Sequence, residues 1–300
     1  MKDIDRGAFS VEPGRRVRLT NFDPGSTDGF ESKRDARAKL RTDIKHLSAL
    51  QEIFYARSQY ALLIIFQGMD TAGKDGAIKH VMTGVNPQGV DVRSFKAPNA
   101  TELAHDYLWR CAQVLPERGK IGIFNRSYYE ELVIARVHPA ILENEQLPPE
   151  DAGNIWADRY QDIGAFERHL ARNGTLILKF FLHLSKEEQC KRLLGRIDTP
   201  SKNWKLSAAD VPERDFWDAY QHAYEELLTH TSIEAAPWHV IPADHKWFTR
   251  AAIAEIIVGK LESLGLHHRS ISDEQRAQML RDRERLMRGD DRARADRTRE

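Results

Sequence analysis

Gly68-Met-Asp-Thr-Ala-Gly73-Lys74-Asp75 places two glycines, with four residues between them, ahead of a lysine, just after the apolar run Tyr60-Ala-Leu-Leu-Ile-Ile-Phe66. That is the spacing of a loop that cradles phosphate: small residues Gly68, Ala72, Gly73 and Gly76 let backbone N–H groups converge on an anion. The helix that follows, read over Ala77–Val81, offers its N-terminus, and Lys74 reaches over the phosphates. The departures from the common pattern are informative. Asp75 stands where Ser or Thr would hold Mg²⁺, and Asp70 adds a carboxylate inside the loop. A carboxylate among phosphates makes chemical sense where it helps hold a metal ion between two phosphate chains.

Two further clusters share this character. In Ile121-Gly-Ile-Phe-Asn125-Arg126-Ser127-Tyr-Tyr129-Glu130, a short apolar run ends in polar residues. Ligands of open parallel sheets sit at the carboxyl ends of strands, so Asn125 and Arg126 belong beside the loop of the first strand. Arg126 has the donors to grip a transferring phosphoryl group. Asn125 takes the place of the acid that normally helps hold Mg²⁺, with an amide oxygen as a weaker ligand. The third cluster, Arg196-Ile-Asp198-Thr-Pro200-Ser-Lys202-Asn-Trp204-Lys205-Leu-Ser207, alternates cations with turn formers between two helices, as a lid over phosphates would. Lys191 and Arg192 precede it, and Lys96 follows the second strand; each of these is equally readable as a solvated surface cation. The histidines lack zinc-ligand spacing, and no G-x-S-x-G or G-x-G-x-x-G pattern is present. The rings of Phe216, Trp217, Tyr220 and Tyr224 fall at helical spacing and read as core.

The elements that must position these residues alternate strand and helix. Strands are expected at 61–67, 90–95, 121–124, 175–184 and 238–241, with helices starting after the phosphate loop, near Ala100, Ser127 and Pro149, and at Ser185 and Ser207. A long amphipathic helix over 32–58 precedes them, carrying Leu40, Ile44, Leu47, Leu50 and Phe54 three or four apart, and a final helix spans about 247–264. Ser185-Lys-Glu-Glu188 reads as a capping box and Asn173-Gly174 as a helix stop. The division expected is an extended, weakly ordered arm over 1–30, one α/β domain over 31–266 with a lid near 196–207, and a charged helix or tail over 267–300.

Composition sets the outer bounds. The chain has 300 residues, is 41% hydrophobic and 30% charged, and carries a formal net charge of zero, so nothing global argues for nucleic acid or a membrane. Any polyanion must therefore meet a local basic groove. The longest apolar run is too short to span a bilayer, and no secretory leader is read at the N-terminus. Cys111 and Cys190 read as two free thiols in a reducing cytoplasm.

The three clusters together resemble the polyphosphate kinase 2 family over roughly Leu40 to Leu264. The likeness rests on Gly68-x-Asp70-x-Ala72-Gly73-Lys74-x-Gly76, on Asn125-Arg126-Ser127-x-Tyr129, and on Arg196 through Pro200-x-Lys202-x-Trp204-Lys205-x-Ser207. Asn125 with Tyr129-Glu130, Asn86-Pro-Gln-Gly89 and Ser94-Phe-Lys96-x-Pro98 is similar to the class III branch. The resemblance implies a thymidylate-kinase-like P-loop fold, a parallel sheet flanked by helices, with inorganic polyphosphate as phosphoryl donor. It also implies Mg²⁺, with Mn²⁺ as a substitute, acceptors among adenine or guanine nucleoside mono- and diphosphates, and a homo-oligomer, commonly a tetramer. On that basis Asp70, Lys74 and Arg126 carry the transfer. Asp70 and Asn125 face the metal, and Glu130 bears on acceptor choice. Lys191, Arg192, Arg196, Lys202 and Lys205 grip the polyanion. Two other readings stand beside it: an ATP-dependent nucleoside monophosphate kinase on the same fold, and a protein that binds polyphosphate or nucleotide without turning it over.

Overall fold

The structure, a computed structural model, describes residues 4–145, 147, 154–268 and 272–297. Five strands, β1 (Ala61–Gln67), β2 (Val90–Ser94), β3 (Ile121–Asn125), β4 (Thr175–His183) and β5 (Trp238–Pro242), form one sheet in the order β2-β3-β1-β4-β5. Every pairing between them is parallel. The phosphate loop therefore leaves the central strand, where the chain's path turns from one side of the sheet to the other. Crevices of α/β sheets open at that point. The α/β, P-loop-kinase-like class read from the sequence is the class observed.

Side chains of β1 alternate between two cores, as pleating requires. Leu62, Ile64 and Phe66 face the layer of α1 (Lys33–Arg57), α2 (Lys74–Val81) and α10 (Lys246–Glu262). Leu63 and Ile65 face the layer of α5 (Glu130–Val137), α7 (Ile155–Arg172) and α9 (Trp217–Thr231). The first unit, which ends at Leu266, also holds helix α8 (Lys186–Ile197) and the short helices α3 (Ala100–Leu103), α4 (Trp109–Ala112) and α6 (Ala140–Glu143).

Local chemistry sets these boundaries. Ser32 caps α1 by accepting from the Asp35 N–H, and Ser58 ends it in the left-handed conformation. Leu40, Leu47 and Phe54 of α1 are buried, and Lys39 forms buried ion pairs with Asp43 and with Glu255 of α10. Gly174, at φ +89°, turns the chain out of α7 into β4. Ser185 caps α8 through the Glu188 N–H, but its own N–H donates to Asp244 Oδ1 (2.9 Å). Only half of the expected capping box is thus made. The helix expected at Ser207 begins at Trp217, after a 3-10 turn over Pro212–Phe216. The start expected near Pro149 lies outside the described residues, and α7 runs from Ile155.

Residues 4–30, expected as a weakly ordered arm, pack against the domain instead. Ile4, Phe9, Val11, Val17, Leu19 and Phe30 are all buried. Ser10 makes an antiparallel bridge to His239, and the Val11 N–H donates to the Trp238 carbonyl (2.8 Å). The chain divides into two compact units at Leu266 and His267. The second holds α11 (Asp273–Arg297), a helix poor in apolar residues.

Candidate active site

The loop between β1 and α2 is held in a shape few residues adopt. Gly68 sits at φ +147°, and a Cβ there would lie 2.8 Å from the Leu182 carbonyl oxygen. Gly73, at φ +108°, is the N-cap of α2 and provides no side-chain cap. The first N–H groups of α2 are therefore left for an anion. Thr71 adopts φ +65° without being glycine, a conformation that costs about 1 kcal/mol. Such strain persists only where surrounding contacts enforce it. Lys74 is buried; its Nζ donates to the carbonyls of Gly68 (2.5 Å) and Met69 (3.2 Å). Burial, reinforced by the neighbouring Arg126 charge, lowers its pKa to about 8.

Register brings the second cluster alongside. Phe66 of β1 pairs with Asn125 of β3, and the Arg126 N–H donates to the Phe66 carbonyl (3.0 Å). Arg126, at φ +66°, turns its guanidinium toward the loop, where Nη2 donates to Asp70 Oδ1 (2.6 Å) and Nη1 to Glu130 Oε2 (3.2 Å). Burial would lower its pKa, but the carboxylates of Glu130 and Asp70 outweigh that, so Arg126 stays charged. Asn125 Nδ2 donates to Asp75 Oδ1 (2.7 Å) and Ser94 Oγ (3.3 Å), while its Oδ1 is buried without a hydrogen-bond partner. That oxygen and the Asp70 carboxylate are hard donors suited to Mg²⁺. Among the described residues no three His, Cys, Asp or Glu gather as a cation cage. Mg²⁺ usually takes one or two protein ligands and completes its shell with phosphate and water, so the donor set fits.

The third cluster faces these two across one cleft of about 980 Å³. Asp70, Ala72, Gly73, Lys74, Asp75, Gly76, Asn125 and Arg126 form one wall; Lys96, Lys191, Arg196, Lys202 and Lys205 line it elsewhere. Gly68 and Glu130 do not line the cleft themselves; Glu130 meets it through Arg126. Arg192 borders the cleft, but its guanidinium is committed to scaffolding. Nη1 donates to the carbonyls of Thr71 and Ala72 (both 3.0 Å), Nη2 to Ala243 (2.6 Å) and Asp244 (3.1 Å), and Nε to Glu188 (2.9 Å). Arg192 thus braces the phosphate loop from beneath, where the sequence had it free to grip polyanion. Trp204, in the 3-10 turn Pro200–Lys205, is 79% exposed, and Arg196 ties the segment to Asp210 (3.2 Å).

Two cations escaped the sequence reading. Lys246 and Arg250, one turn apart at the start of α10, line the same cleft. Burial and the proximity of Arg192 lower the pKa of Lys246; burial and Arg37 do so for Arg250. Their signal was positional: they follow the carboxyl end of β5, which faces the same crevice as the ends of β1 and β3. Among the described residues the cleft carries ten Lys and Arg side chains against four Asp and Glu, on a chain whose net charge is zero.

Comparison with known proteins gives this arrangement a lineage. Residues 30–269 match the family model of polyphosphate kinase 2. An ADP-polyphosphate phosphotransferase of Rhodopseudomonas palustris is 51% identical over 93% of this chain and 97% of that protein. An AMP/ADP-polyphosphate phosphotransferase of Meiothermus ruber is 45% identical over 87% of this chain and 94% of its own length. The crystal structure of polyphosphate kinase 2 from Arthrobacter aurescens superposes with a TM-score of 0.84 at 37% identity, covering 94% of this chain and 100% of that one. Sequence, geometry and matched length agree: this chain belongs to the polyphosphate kinase 2 family.

Proposed function

We propose that the protein transfers the terminal phosphoryl group of inorganic polyphosphate to ADP or AMP, and in reverse lengthens polyphosphate. The observation that carries this reading is a carboxylate, Asp70, set inside a phosphate loop and facing a strongly cationic cleft. An ordinary ATP site needs no acid among its phosphates. A site that brings two phosphate chains together needs one, to share a metal ion or orient the attacking oxygen. The names borne by the relatives from R. palustris and M. ruber support the same donor and the same acceptors, and disfavour an ATP-dependent monophosphate kinase.

Phosphoryl transfer asks a protein chiefly for alignment and charge neutralisation. Lys74 and Arg126 neutralise the transferring group, and the N-terminus of α2 holds the adjoining phosphate. Asp70 and the unpartnered Asn125 Oδ1 would hold Mg²⁺ or Mn²⁺, which when bound draws charge from the phosphate oxygens. Lys96, Lys191, Arg196, Lys202 and Lys205 would hold the chain, the 196–207 segment acting as a lid that excludes water. Glu130, against Arg126, would weigh AMP against ADP, with guanine nucleotides as further acceptors. Among the described residues no helix is long and apolar enough to cross a membrane, and both cysteines are free. A cytoplasmic homo-oligomer, tetrameric as in the resemblance, is the proposed setting. The test is incubation with Mg²⁺, ADP and long-chain polyphosphate, without ATP. ATP formed in proportion to enzyme is the outcome expected; none formed would overturn the reading.

A further inference from the structure

Beneath the site lies a group of ionisable side chains that touches neither cleft nor solvent. Lys179 of β4 and Glu167 of α7 are fully buried and paired, Nζ to Oε2 at 2.6 Å. The other carboxylate oxygen, Oε1, accepts from both Tyr128 Oη (2.9 Å) and Tyr129 Oη (2.7 Å). Lys179 Nζ spends its remaining donors on Tyr129 Oη (2.9 Å) and the Thr231 carbonyl (2.7 Å), and Trp238 Nε1 donates to Thr231 Oγ1 (2.8 Å). Every polar group in this cluster is thus partnered. Stability alone is a poor reason for it, because a buried ion pair is commonly no better than apolar side chains of the same volume. Its position in the chain offers another reason. Tyr128 and Tyr129 stand two and three residues after Arg126 and directly before Glu130. Arg126 holds a left-handed backbone that an arginine rarely adopts, and its neighbours must enforce it. On one side the Phe66 carbonyl accepts its N–H. On the other, Ser127 Oγ accepts from the Tyr129 N–H (3.2 Å), and the paired hydroxyls anchor the next turn.

We propose that Glu167, held by Lys179, is a positioning residue for phosphoryl transfer: by binding two consecutive tyrosine hydroxyls it fixes the backbone that aims Arg126 at Asp70. The inference rests on the function proposed above. Tyr128→Phe/Tyr129→Phe removes only the two hydroxyls and keeps ring packing against Phe166 and Trp238. Expected is a fall in kcat of about tenfold or more with KM for ADP little changed, since an aligned guanidinium matters most in the transition state. The decisive measurement is a double-mutant cycle with Arg126→Ala: if the tyrosines act through Arg126, their loss costs no further activity in that background. A second pair, Glu167→Leu/Lys179→Met, replaces the charges with apolar volume and should show the same kcat defect; Glu167→Gln, which keeps an acceptor at Oε1, should recover part of it. Additive effects in the cycle, or a folded double-Phe variant within twofold of the parent kcat, would overturn the inference. Parent enzyme run in the same assay keeps the tests apart, because its failure to make ATP would count against the function itself.

Discussion

Lys74 carries a pH dependence that its surroundings dictate. Its folded-state pKa, about 8, lies below the ordinary lysine value of 10.5. Between those values the unfolded chain binds the extra proton, so this group makes stability rise with pH across that window. Its grip on phosphate declines over the same range. Without bound anion, kcat/KM for polyphosphate should therefore fall up to about tenfold per pH unit above roughly 8, while thermal stability holds or rises. A flat profile to pH 10 would contradict the assignment. Asp70 permits a sharper test: Asp70→Asn preserves size and should lower kcat by about a hundredfold or more. Turnover near the parent's in a folded variant would remove Asp70 from the mechanism. Both residues were legible in the sequence because a phosphate loop has a fixed spacing. The bracing contacts of Arg192 were not legible, for the opposite reason. Nothing in a sequence says which way a cation points, and only the fold shows four carbonyls taking its donors.

Among the elements, the 196–207 segment is held at its base by Arg196 with Asp210 and by Asn203, whose Nδ2 donates to the carbonyls of Arg196 and Ile197 (both 2.8 Å). Its tip presents Lys202, Trp204 and Lys205 exposed. If the tip holds polyanion, Lys202→Ala and Lys205→Ala should each raise KM for polyphosphate at low salt. Each should also flatten the log–log salt dependence by about 0.7–0.9, the loss of one phosphate contact, by analogy with nucleic-acid backbones. Unchanged slopes would place the tip outside the binding path. The five strands and α1 were readable as elements because apolar runs and a 3.6-residue period survive in the sequence. Helix α10 gave away its core but hid its function. It is apolar on nearly every side, so the polar character of its first two turns, Lys246 and Arg250, was swamped. The helix start expected at Ser207 failed because 3-10 and turn backbone shares the polar composition of a helix end.

For the whole molecule, the division at Leu266 and His267 makes a prediction about size. All cleft-lining residues belong to the first unit, and α11 is polar almost throughout. Removing 267–300 should leave kcat within about twofold and the melting temperature within a few degrees, since exposed polar surface contributes little to stability. Loss of activity in a folded, truncated protein would give the second unit a part in catalysis. The segment 4–30 escaped the sequence reading because its buried residues follow a meandering path instead of a repeat, leaving no period to detect.

That segment has a consequence for how the chain is made and handled. β5 is a terminal strand of the sheet, paired with β4, and residues 10 and 11 add a bridge and a backbone hydrogen bond to it. Residues 10 and 11 find their partner only in strand 238–242, more than two hundred residues further along, a long-range closure of the sort that slows folding. Removing residues 10 and 11 would leave the cleft's own side chains in place yet free the Trp238 carbonyl and the bridge position at His239, backbone groups at a sheet edge open to intermolecular strand pairing.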